Sequence, residues 1–182
     1  MIAAVAFTAC AAVLCLAAVL AMLGLAQARM SGSEGLLRDG LAPGRQAPRW
    51  SLADQDGNVR TSPPVGRTLQ AVIFADHSLK SFPSVVDGLR DLLAAGDDVE
   101  IVLLLQRPNT IAAPVLRELG LPGVAVLTGS PALYARYNVR VGPFLIFVDA
   151  AGLVRASSLV NYAWQVAKLR QLAGLPAGVG QP

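Results

Sequence analysis

The residues able to do chemistry are few, and their positions restrict what chemistry is open. The chain holds two cysteines, Cys10 and Cys15, and a single histidine, His77. On a helix the spacing of the cysteines puts their Cα atoms about 8.5 Å apart on different faces, beyond disulfide reach. They read as small apolar packing residues. His77 stands between Asp76 and Ser78, and together these are the residue types of a nucleophilic relay. Consecutive side chains diverge, however, so a His-activated serine is not expected and His77 reads as an exposed loop histidine. One histidine, with no cysteine beyond Cys15, leaves too few good ligands for a metal site. Gly120, Gly123 and Gly129 lack the flanking pattern of a phosphate-binding loop. Neither a metal nor a cofactor is expected.

Charge excludes another class. The net charge is +3, and Arg60, Arg67, Arg90, Arg107 and Arg117 stand singly with acids between them. That pattern makes no basic stripe, so nucleic acid is not an expected partner.

The elements that must position these residues begin with an apolar leader. Apolar residues make up 54% of the 182 positions and charged residues only 15%, against roughly 25% charged in an ordinary soluble domain. Ile2 to Ala26 carries no charge, and only Thr8 and Gly24 fall outside the apolar set. As a helix this stretch measures about 37 Å, enough to cross a hydrocarbon core of roughly 30 Å. A single-pass membrane anchor over 1–28, in contact with membrane lipid, is therefore expected. The rival is a cleaved signal peptide, since Ala26-Gln27-Ala28 matches a small-x-small cleavage site. Its apolar part is longer than a usual signal core and no Lys or Arg precedes it. Arg29, Arg38, Arg45 and Arg49 follow the stretch. Counting positives puts the remainder of the chain in the cytoplasm, a rule that long domains override.

Turn chemistry at Ser31-Gly32-Ser33 and Ala42-Pro43-Gly44 marks a linker over 29–46. One α/β domain follows over 47–174, with a flexible tail over 175–182. A hairpin is expected around Asp54-Gln55-Asp56-Gly57. Leu69–Ala75 and Val99–Leu105 are continuous apolar runs, the mark of strands buried on both faces. Between them Phe82, Val85, Val86, Leu89, Leu92 and Leu93 fall on one face of a helix that Gly96 ends. A short helix over 108–119, a short strand over 123–127 and a helix capped by Ser130-Pro131 come next. Strands over 144–149 and 153–157 and an amphipathic helix over 161–173, through Tyr162, Val166 and Leu169, close the domain. Parallel units followed by an antiparallel hairpin and a last helix predict a mixed sheet with helices on both faces. Trp50, Tyr134, Tyr137 and Trp164 read as core or rim aromatics.

Several of these segments carry a family likeness. Ala47-Pro48-Arg49-Trp50-Ser51-Leu52 with Asp56-Gly57 resembles the leading hairpin of the TlpA and peroxiredoxin-like branch of the thioredoxin superfamily. The run from Ser130 through Tyr137, with Val139 and Gly142 to Arg155, looks like that branch's second half. Leu159-Val160-Asn161 and the Ala-rich leader are most similar to MauD-type methylamine-utilisation proteins. The resemblance implies a thioredoxin-like fold with a Cys-x-x-Cys after the first long strand. Counting back from Pro83 sets those positions near Ala75 and Ser78, and counting forward from Phe74 gives a different register; in either, Ala75, Asp76, His77 and Ser78 form a degenerate motif without thiols, since no cysteine follows Cys15. Serine is a poor nucleophile without a base and does not cycle through a disulfide. Thiol–disulfide exchange by this domain alone is thereby excluded, and a catalytic role is not expected.

The resemblance also makes Gly142-Pro143 a cis-proline loop, with an ordinary strand-leading proline as the alternative. Val141, Gly142, Pro143 and Phe144 would then offer a face to an extended partner. The function implied is that of a redox-inactive pseudoenzyme: a membrane-anchored accessory or scaffold protein. It would hold an integral membrane protein or a client polypeptide during maturation of a membrane or extracytoplasmic protein. The alternatives are a TlpA/MauD-type oxidoreductase working with a partner's cysteines, an unrecognised hydrolase at Ser78, and a structural subunit of a membrane complex. The family likeness places the domain outside the cytoplasm, against the arginine count.

Overall fold

The run Leu69–Ala75, apolar but for Gln70 and buried throughout, is the middle of the structure because both of its faces are covered. The computed structural model describes residues 39–106 and 121–175. The expected anchor with both cysteines, the linker before 39, the helix expected over 108–119 and the tail beyond 175 lie outside the described residues.

A hairpin leads: β1 (Trp50–Ala53) pairs antiparallel with β2 (Val59–Ser62). A five-stranded sheet follows, made of β3 (Leu69–Ala75), β4 (Val99–Leu105), β5 (Ala125–Thr128), β6 (Phe144–Asp149) and β7 (Val154–Leu159). Its order is β5-β4-β3-β6-β7. β3, β4 and β5 run parallel; β6 and β7 are antiparallel. The helices among the described residues are α1 (Phe82–Ala94), α2 (Pro131–Arg136) and α3 (Ala163–Leu172).

Strand alternation sorts the apolar runs into two cores. Ala71, Ile73, Leu103 and Phe147 face Val85, Leu89, Val166 and Leu169 of α1 and α3. Val72, Phe74, Leu104 and Ile146 face Leu133 and Tyr134 of α2, with Tyr137 and the hairpin residue Trp50. The mixed sheet with helices on both faces is therefore as expected. α1 and α3 approach closely at Gly88, where an added Cβ would lie 2.8 Å from Val166 Cγ2 and 3.1 Å from Ala163 Cα. Such contact explains a glycine inside a helix, where it otherwise costs about 1 kcal/mol. Gly88→Leu is expected to lower stability by about 1–3 kcal/mol through overpacking, read by denaturant unfolding; an unchanged midpoint would refute the close contact.

A polar cluster fastens the hairpin to the sheet. Asp54, 6% exposed, accepts from the backbone N–H groups of Asp56 (3.0 Å) and Asn58 (2.8 Å) and from Arg60 Nε (2.9 Å). Arg60 also reaches Glu100 on β4. The buried Gln70 donates to Thr61 O at 2.8 Å and to Glu100 Oε2 at 2.7 Å. Gln55 in the hairpin turn accepts from Val126 N–H at 2.7 Å and so extends the hydrogen-bonding of β5.

Three expectations need correction. Residues 39–46, whose turn chemistry suggested a linker, are bound to the domain. Gly40 N–H donates to Asn138 O (2.8 Å), Gly44 N–H to Val154 O (2.7 Å), and Val154 N–H to Arg45 O (2.9 Å). Ser157 Oγ donates to Leu41 O at 2.6 Å. Tyr162 is not on the buried face of α3: it precedes the helix as its N-cap and is 58% exposed. Trp164, read as core or rim, is outside the core at 60% exposed. A cis peptide at Ser62-Pro63 was not anticipated.

Candidate functional site

Two segments far apart in the chain meet at the C-terminal end of β3. One is the loop from Asp76 to Ser81 that leads into α1; the other is the turn from Asn138 to Pro143 that leads into β6. The Gly142-Pro143 bond is cis, as the resemblance implied. The turn is pressed on β3: an added Cβ at Gly142 would stand 3.1 Å from Phe74 O and 3.8 Å from Ala75 Cα. A glycine is therefore needed for closeness, since backbone on both sides has no flexible end to give way.

The four expected partner-face residues divide. Val141 is 52% exposed and Gly142 half-buried. Pro143 is buried, and its carbonyl already accepts from Val160 N–H at 2.9 Å. Phe144 is 2% exposed and opposes Phe74 across the sheet. Phe144 therefore belongs to the core and supports the face without forming it.

The degenerate motif is placed as follows. Ala75 is the buried end of β3, Asp76 and His77 are half-buried, and Ser78 is exposed. Asp76 Oδ1 accepts from both the N–H (2.9 Å) and the hydroxyl (2.8 Å) of Ser78. His77 Nδ1 lies 3.8 Å from that same oxygen. Both neighbours turn to one carboxylate oxygen, so the histidine does not stand between acid and serine. The geometry of a hydrogen-bonded relay to Ser78 is absent.

Under this loop Tyr134 donates its hydroxyl to Leu104 O at 2.8 Å, and its ring meets Phe74 edge-on at 4.9 Å. Burial, reinforced by the charge of Asp76, pushes the Tyr134 phenol well above its usual range, so it stays protonated. Tyr137 is fully buried and accepts from Trp50 Nε1 at 3.0 Å. Burial raises its pKa too. These aromatics are core, as expected for both tyrosines and Trp50.

Asp76, Leu79, Gln106, Tyr134, Arg140 and Val141 line a cavity of about 140 Å³ between the two segments. Past Gln106, Val139 and Arg140 a more open groove of about 410 Å³ continues toward Pro131, Ala135 and Asn138. The site thus presents a carboxylate in the smaller part, a guanidinium shared by the two parts, and apolar walls. Leu79, Gln106 and Arg140 had no signal in the sequence, because only the crossing of three separate segments brings them together. Among the described residues no group of three or more His, Cys, Asp or Glu could hold a metal ion.

A comparison with protein-family models and one with curated proteins each find no match. Solved structures do match. A peroxidoxin from Mycobacterium tuberculosis superposes with a TM-score of 0.61 at 17% identity, over 75% of this chain and 99% of that one. A thio-disulfide isomerase from Thermus thermophilus gives 0.58 at 21%, over 75% and 99%. A peroxiredoxin-like protein from Aquifex aeolicus gives 0.60 at 14%, over 75% and 90%. At such identities the likeness is one of fold, and the domain has a thioredoxin-like fold.

Proposed function

We propose that the chain is a membrane-anchored accessory protein whose thioredoxin-like domain holds a polypeptide partner and passes no electrons through groups of its own. The observation that carries this reading is the close seating of the Gly142-Pro143 turn on Phe74 and Ala75 of β3, with Val141 exposed beside it. On this reading the turn serves as a polypeptide-binding edge, while residues 75–78 supply a carboxylate, an imidazole and a hydroxyl where the family likeness implies thiols. A hydroxyl cannot form the mixed disulfide through which exchange proceeds. The partner is an integral membrane protein or a client in maturation, with the domain outside the cytoplasm, as the similarity to MauD-type proteins suggests.

The test is site-specific photo-cross-linking in native membranes from position 141, with position 59 as control. Val59 is 68% exposed but lies on the hairpin. A discrete polypeptide adduct is expected from 141 and not from 59; equal labelling, or none, would refute the reading. In an insulin-reduction assay the full chain with dithiothreitol is expected to run no faster than dithiothreitol alone. Turnover by the chain without a partner would overturn the redox-inactive reading.

A further inference from the structure

The cavity between the two segments also indicates what kind of side chain a bound polypeptide inserts. At about 140 Å³ it is smaller than the roughly 300–1,000 Å³ of ordinary small-molecule sites and matches one side chain. Its lining includes Asp76, whose carboxylate is anchored through Oδ1 by both donors of Ser78 and therefore fixed in direction. Leu79, Val139 and Val141 give it an apolar passage. The Tyr134 hydroxyl is committed to Leu104 O, so it offers no donor to an anionic guest. An aliphatic stem ending in a cation suits such a passage, because lysine and arginine bury their methylenes while the charged head finds a partner.

Arg140 bears on the choice. It lines both cavity and groove, is exposed, and leans toward the outer part, where its Nη2 donates to Asn138 Oδ1 at 3.3 Å. An exposed guanidinium is screened by solvent, and it selects against a second basic residue further along. His77, beside Asp76 on the loop side, is a further titratable neighbour among the described residues.

We infer that the inner cavity takes the lysine or arginine side chain of an extended polypeptide, its cation donating to Asp76, in the place where the family likeness implies a nucleophilic sulfur. This deepens the proposed function and rests on its polypeptide-binding reading. Recognition would then be ionic where the sulfur-bearing fold would make it covalent.

The test measures fluorescence anisotropy of labelled peptides against the full chain in detergent. The peptides share one alternating valine–threonine host and differ at a single central residue: lysine, glutamine or glutamate. Lysine is expected to bind about fivefold to tenfold more tightly than glutamine, and glutamate more weakly still, as for one charge-assisted hydrogen bond. The preference is expected to shrink as salt is raised. Asp76→Asn keeps an acceptor for Ser78, so the loop stays folded, and is expected to bring lysine and glutamine within about twofold, because the charge that separates them is gone. Equal binding of all three peptides would overturn the ionic inference and leave the binding edge standing. A lysine preference that survives in Asp76→Asn would overturn it also, by placing the attracting charge elsewhere. Binding of none of the three would overturn the inference together with the polypeptide-binding reading.

Discussion

Asp54→Ala is expected to remove about 2–3 kcal/mol of stability near neutral pH. The carboxylate is buried, and burial alone would raise its pKa. The Arg60 guanidinium and the N–H groups of Asn58 and Asp56 outweigh that, and hold the carboxyl below its ordinary value. The sign follows from linkage. A group with a depressed folded pKa adds stability above its unfolded value of about 4 and loses it as pH falls through the folded value. The wild-type melting temperature is thus expected to drop from pH 5 to pH 3 more steeply than that of Asp54→Ala or Asp54→Asn. Asparagine keeps an acceptor for the turn and should fall between the other two at neutral pH. The estimate sits below that for a fully buried pair because Arg60 is 36% exposed and regains water when left alone. Thermal unfolding of the three proteins across that range checks it. Curves with one slope would mean that the hairpin is not fastened through this charge.

Gly142→Val is expected to abolish the position-141 adduct while the domain still folds. The new Cβ meets Phe74 O at 3.1 Å before its branches are added, and β3, the middle strand, cannot retreat. The turn must lift away instead. It carries Val141 with it and opens the passage between Leu79 and Val139. A stability loss of about 1–3 kcal/mol is expected, the usual cost of overpacking. A tenfold or larger fall in adduct yield, with the far-ultraviolet circular dichroism spectrum kept, is the outcome to look for. An undiminished adduct would show that the turn does not set the position of the binding edge.

Most of the architecture was legible because the chain announces it locally. Leu69–Ala75, Val99–Leu105 and Phe144–Asp149 form strands over their full expected spans. Each is an apolar run closed by polar or turn residues. Ser130 caps α2 as its type suggests, accepting from Leu133 N–H at 3.2 Å. The strap over 39–46 was not legible. Its bonds to β7 and to Asn138 use backbone groups, which every sequence has, while its side chains spell only turns. Tyr162 misled because helical periodicity does not stop at a cap. The candidate site was legible in halves. Residue types showed that 75–78 lack sulfur, and the family likeness brought 141–144 to them. Neither spoke of Gln106 or Arg140, which reach the cavity only through the crossing of strands.

The strap also has a protective consequence. On its outer side β7 would otherwise offer a row of unsatisfied amides and carbonyls, an open template on which a second molecule could add its own strand. Gly44 and Arg45 occupy both backbone groups of Val154 and Ala47 the carbonyl of Gly152, so a foreign strand finds the start of the template in use. A shortened chain beginning at Ala47 would uncover it and invite self-association into aggregates, a hazard that the eye, seeing only Pro43 and Gly44 in a row of turns, would not attach to those residues.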